Sequence, residues 1–151
     1  MGVAATTAGG LLGSFGTHSK PFHAGKAGMD GILAAQLAAS GFQAANTLYE
    51  RDKGLLDALI QDRNVEVPAL DFGVQWEILG NGFKPFACCR ATQASTQAAR
   101  TLAERVGQRK IKRVHAKVHP NALVTAGKRD PRTPLEGKFS VPFCISLGLR
   151  G

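Results

Sequence analysis

Lys110-Ile111-Lys112-Arg113-Val114-His115-Ala116-Lys117-Val118-His119 decides how the chain is read as a fold. Val114, Ala116 and Val118 alternate with Arg113, His115 and Lys117, the period-two pattern of a half-buried strand. Pro120 ends the stretch. Upstream, Val74, Trp76 and Ile78 alternate with other residues in the same manner. A helix from Ala91 to Val106, stopped by Gly107, separates the two strands. Ser140 is placed to cap a last helix through Pro142, Phe143, Ile145 and Leu147, with proline near its first turn. Thr125 to Lys138 is polar and contains prolines, so it reads as a loop. Two strands alone make a marginal sheet, so this half calls for more chain than it has.

The first half has a helical character. Met29, Ile32, Leu33, Leu37 and Ala38 recur at three- and four-residue spacing between Gly25 and Ser40, and Gly41 stands where a helix terminator belongs. Leu11, Leu12 and Phe15 follow a Gly-Gly pair and suit a short helix. Leu55, Leu56, Leu59 and Ile60 mark another over Gly54 to Asp62. Character changes near Asp71. The expected class is α+β: part of a helical domain over residues 1–74, then an incomplete α+β domain over 75–151.

The chain has 151 residues, of which 44% are hydrophobic and 20% charged, the composition of a globular domain rather than a disordered one. No apolar run has the length of a membrane span, and no signal peptide is visible. The three cysteines are an odd number, and Cys88 and Cys89 are adjacent; reduced thiols and a cytoplasmic setting are the simplest reading. The net charge is +8, but Lys84 to Lys138 holds thirteen Lys and Arg against Glu104, Asp130 and Glu136. That local excess of ten leaves the remainder at −2. A basic half attracts polyanions, yet it has little aromatic interleaving and no nucleic-acid-binding motif, which argues against nucleic acid. Gly9, Gly10 and Gly13 lack the pattern of a phosphate loop, and no Cys or His spacing supports a metal.

Two basic stretches carry the candidate chemistry. Ser19-Lys20-Pro21-Phe22-His23-Ala24-Gly25 sets an amine three residues from an imidazole, in what reads as a loop opening the Gly25–Ser40 helix. Such a pair can move protons beside a carboxylate; the same spacing also fits an exposed lysine beside a packed histidine. Phe83-Lys84-Pro85-Phe86-Ala87-Cys88-Cys89-Arg90 adds Lys84 and Arg90, cations suited to clamping carboxylates, or else two solvated charges. Cys88 and Cys89 read as small buried hydrophobes, and Cys144 as core.

These stretches resemble the MmgE/PrpD family, which includes 2-methylcitrate dehydratases, cis-aconitate decarboxylases and iminodisuccinate epimerases. Lys20-Pro21-Phe22-His23-Ala24-Gly25 is similar to the family's K-x-x-H-x-G stretch. Lys84 to Arg90 is similar to its K-P-[YF]-x-C-C-R loop, and Lys138-Phe139-Ser140-Val141-Pro142-Phe143 to its K-F-S-[LV]-x-[YF] helix start. The three stand in register across nearly the whole chain.

The resemblance implies a large helical domain and a smaller α+β lid with the active site between them. It also implies cofactor-free lyase or isomerase chemistry on a small di- or tricarboxylate, as in a 2-methylcitrate dehydratase. Lys20 and His23 would be catalytic, and Lys84 and Arg90 would bind substrate. Gln93 occupies a place where the family often has histidine. Family chains extend on both sides, and catalytic His and Asp residues of their N-terminal helices have no counterpart here. The expectation is therefore an internal segment, catalytically incomplete, from a truncated product or an expressed fragment. The alternative is a non-catalytic remnant that self-associates, as a dimer in the simplest case.

Overall fold

A computed structural model of the chain describes residues 1–49, 52–60, 62, 64, 73, 74 and 76–151. Its contacts divide it into two compact units, 1–10 with 21–81, and 11–20 with 82–151. Seven α-helices are described: α1 (Gly2–Thr7), α2 (Ser19–Ala39), α3 (Leu55–Leu59), α4 (Gln93–Val106), α5 (Pro120–Ala126), α6 (Pro134–Gly137) and α7 (Val141–Gly148). Among the described residues no helix is long and apolar enough to cross a membrane.

The fold is all-helical, which corrects the α+β expectation. Residues 109–119 form neither helix nor strand. Glu77–Gly80 is a 3₁₀ turn, and Val74, Trp76 and Ile78 stay exposed. A strand needs a neighbour to satisfy its backbone N–H and C=O groups. Among the described residues the one ladder element is an isolated antiparallel bridge, Gly127 to Ser140. Alternation by itself marks a possible face, not a partner. The expected change of character at Asp71 lies outside the described residues.

In the first unit, α2 is the long element. It ends as its sequence predicts: Gly41 takes φ +86°, while Phe42 N donates to Leu37 O at 2.9 Å and Gly41 N to Ala38 O at 3.1 Å. A left-handed glycine after the last turn closes the helix in this way at little steric cost. Lys26 Nζ donates to Thr7 O at 2.7 Å and pairs with Asp30 one turn on, tying α1 to α2. Ala5 and Ala34 are the buried residues of these two helices. The expected third helix is shorter than Gly54–Asp62: Gly54 caps Leu55–Leu59.

In the second unit, α4 and α7 pack against each other. Ala99, Ala122, Ala126, Val141 and Ile145 form its core, with Cys89, Ala91, Val118 and Leu149 packed on it. Small residues let these backbones come close: a Cβ at Gly148 would stand 2.8 Å from Thr96 O. Ser140 caps α7 as expected, its Oγ accepting from Phe143 N at 3.2 Å. The expected loop over Thr125–Lys138 instead contains the end of α5 and all of α6. Thr133-Pro134-Leu135-Glu136 carries the start signal, with Thr133 Oγ1 accepting from Glu136 N at 3.2 Å. Near the N-terminus, Leu12–Ser14 is a single 3₁₀ turn.

Candidate functional site

The Lys20–His23 stretch is helix, not the loop expected. α2 begins at Ser19, where Thr17 Oγ1 accepts from Ser19 N at 3.2 Å. Pro21 falls in the first turn, where a backbone N–H would have no intrahelical acceptor. The two side chains belong to different units. Lys20 lies with the second unit, His23 with the first.

Lys20 Nζ stands 5.1 Å from the centroid of the Phe15 ring and 5.8 Å from that of Phe139. The two rings are 5.2 Å apart and tilted by 49°. Their negative faces attract the ammonium and fix the end of a flexible side chain. His23 stands beside Gly10, where an added Cβ would lie 3.2 Å from Nδ1.

Phe139 also leads to the second basic stretch. Its neighbour Lys138 accepts through its backbone oxygen from Cys89 N at 2.8 Å. The 86–89 turn is held from inside by Gln93. The Gln93 amide accepts from Phe86 N at 3.1 Å and donates to Phe86 O at 3.0 Å and Cys88 O at 3.1 Å. The Thr92 hydroxyl is fully buried, 2.8 Å from Cys89 O and 2.9 Å from Cys88 Sγ.

Three separated stretches thus meet within the second unit: Lys20 through Phe139, the Cys-Cys turn through Lys138, and the start of α7 through Ser140. Lys84 and Arg90 bracket the turn, both exposed, and among the described residues neither has an ion pair. Sequence reasoning missed Gln93 as a clamp and Phe15 and Phe139 as the seat of Lys20. The signal for the clamp was a long amide at the first position of a helix, just after a Cys-Cys turn whose carbonyls need donors.

Beside this junction, within the same unit, lies a cleft of about 730 Å³ walled by Phe86, Cys88, Arg100, Lys138, Phe143 and Leu147, among others. Lys20, His23, Lys84 and Arg90 do not line it. Cys144, also on its wall, is buried as expected. Burial pushes its thiol above the ordinary range; the Thr92 hydroxyl acts against that rise and the Cys88 thiol adds to it. Cys88 and Cys89 are half-buried rather than fully buried. Among the described residues no three His, Cys, Asp or Glu are grouped as metal ligands.

Residues 1–68 match the MmgE/PrpD N-terminal domain, and residues 86–151 match the MmgE/PrpD C-terminal domain. The chain belongs to the MmgE/PrpD family. The first matched part contains Lys20 and His23; the second contains Arg90 and begins two residues after Lys84, and the order of the two is that of the family's domains. No curated protein and no solved structure matches this MmgE/PrpD chain.

Proposed function

We propose that the chain carries part of a hydro-lyase site of the 2-methylcitrate dehydratase kind, in a cytoplasmic setting. Its substrate would be a small di- or tricarboxylate and its reaction a cofactor-free loss of water. Lys20 and His23 handle the protons: one removes the proton alpha to a carboxylate, the other protonates the departing hydroxyl. Lys84 and Arg90 hold the carboxylates and offset the enolate-like charge that develops. Membership of the family supports this reading. So does the seat of Lys20, whose ammonium is fixed over Phe139 next to the Cys-Cys turn.

The test has two readouts. The full chain is incubated with 2-methylcitrate, and formation of the conjugated double bond is followed by ultraviolet absorbance. In parallel, acylation of Lys20 and Lys84 is mapped by mass spectrometry with and without substrate. Either a Lys20→Met-sensitive absorbance or substrate protection of both lysines supports the proposal. If neither appears, the proposal fails.

A second reading is favoured by one observation. Along all 21 residues of α2 the one buried residue is Ala34, while Phe22, Met29 and Ile32 are 60%, 58% and 64% exposed. Large apolar side chains exposed along one helix favour association where they share a face. A second copy of the chain covering α2 would give a non-catalytic dimer, seen as a concentration-dependent sedimentation coefficient that Ile32→Glu abolishes.

A further inference from the structure

The cleft in the second unit has a composition that selects its occupant. Phe86, Phe143 and Leu147 give it apolar walls, and no aspartate or glutamate lines it. Three cations do. Arg132 is neutralised by Asp130, with Nη2 to Oδ2 at 2.7 Å. Arg100 and Lys138 have no ion pair among the described residues. The Arg100 guanidinium lies 5.6 Å above the Phe86 ring, so one uncompensated cation sits directly on the apolar wall.

Two unpaired positive charges on an apolar surface favour a ligand with a matching division: an anionic head and an apolar body. A small tricarboxylate has little apolar surface to set against the walls. A neutral hydrocarbon would leave the cations without a partner. We propose that this cleft binds a medium-chain organic carboxylate, its head between Arg100 and Lys138 and its alkyl chain on Phe86, Phe143 and Leu147. The site is independent of the proposed elimination, whose four residues lie outside it.

Calorimetric titration of the full chain with hexanoate, octanoate and octanol tests this. Octanoate should bind about tenfold or more tighter than octanol, and hexanoate about tenfold weaker than octanoate, since each buried methylene tightens binding roughly fourfold. Arg100→Gln and, separately, Lys138→Gln should each weaken octanoate about tenfold. Arg109→Gln, beyond the end of α4, should change nothing. Octanoate should also slow alkylation of Cys88 by iodoacetamide, read by sequencing the modified peptide.

Equal binding of octanol and octanoate would overturn the assignment. So would unchanged affinity in both cleft variants, each shown folded by its circular dichroism spectrum. Cys88 protection that follows protein concentration instead of octanoate would mean that a second copy covers the cleft, and would overturn it as well.

Discussion

The Gln93 side chain pairs with the backbone of Phe86 as a neighbouring strand would, accepting from its N–H at 3.1 Å and donating to its C=O at 3.0 Å. The same amide reaches Cys88 O at 3.1 Å and Cys89 O at 3.4 Å. One side chain therefore satisfies most of a turn that has no ladder of its own. Gln93→Glu keeps the acceptor and replaces the donor with a second acceptor that faces these carbonyls. The expected loss is about 1–3 kcal/mol, the cost of leaving part-buried polar groups unpaired. A lower urea midpoint at neutral pH, with partial recovery as the new carboxyl is protonated, is the outcome to look for.

Gly148 decides how close α7 can come to α4. An added Cβ would stand 2.8 Å from Thr96 O and 2.9 Å from Ala99 Cβ. The first obstacle is backbone and cannot rotate away. Gly148→Ala should cost about 1–3 kcal/mol, as overpacking does, despite alanine's better helix propensity. Gly28→Ala, in α2 with nothing within 4 Å of the added atom, should be neutral or slightly stabilising. A pair of urea titrations separates the two cases.

What the sequence revealed and what it hid divides along local and non-local physics. Gly41, Gly107 and Ser140 act within one turn of their own helix, and each is found in the predicted role. Thr133-Pro134-Leu135-Glu136 is equally local and encodes a helix start, but its proline and polar residues fit a loop as well. The alternation at Val114–Val118 is also local, whereas a strand is a relation between two segments. Without a second segment the pattern gives no sheet.

The site divides in the same way. The basic stretches and their family were legible from residue types and order. That Lys20 sits over Phe139, or that Cys89 N meets Lys138 O, depends on residues more than forty positions apart. No spacing encodes that.

The carboxylate of Glu136 gives an acid-side prediction. The Arg132 backbone N–H donates to it at 2.6 Å, and Lys128 Nζ lies 3.5 Å away. The first contact, then the second, holds its carboxyl below the ordinary glutamate value against an opposing effect of desolvation. A lowered folded value means that the stabilisation is complete above the ordinary glutamate range and is lost as pH falls through the lowered value. Glu136→Gln should therefore narrow its stability gap to the parent between about pH 6 and about pH 3. Urea midpoints measured across that window check it; a gap independent of pH would count against the contact.

Cys144 gives the opposite sign. Burial raises the Cys144 thiol above its ordinary value, so in the folded chain it keeps its proton where an unfolded chain would begin to lose it. The associated stability is present below the ordinary thiol range and declines as pH rises through the raised value. Because the thiolate is the nucleophile, Cys144 should also be the slowest of the three to alkylate. Its 4% exposure limits access in the same direction. Cys88 and Cys89, both half-buried, should react first with iodoacetamide near neutral pH. Cys144 should react only as fast as the second unit opens. The two causes separate on raising the pH under native conditions. If protonation limits the reaction, Cys144 labelling accelerates before unfolding is seen by circular dichroism; if access limits it, labelling and unfolding rise together. Cys144 labelling as fast as Cys88 at neutral pH would contradict the packing of α7 against the Cys-Cys turn.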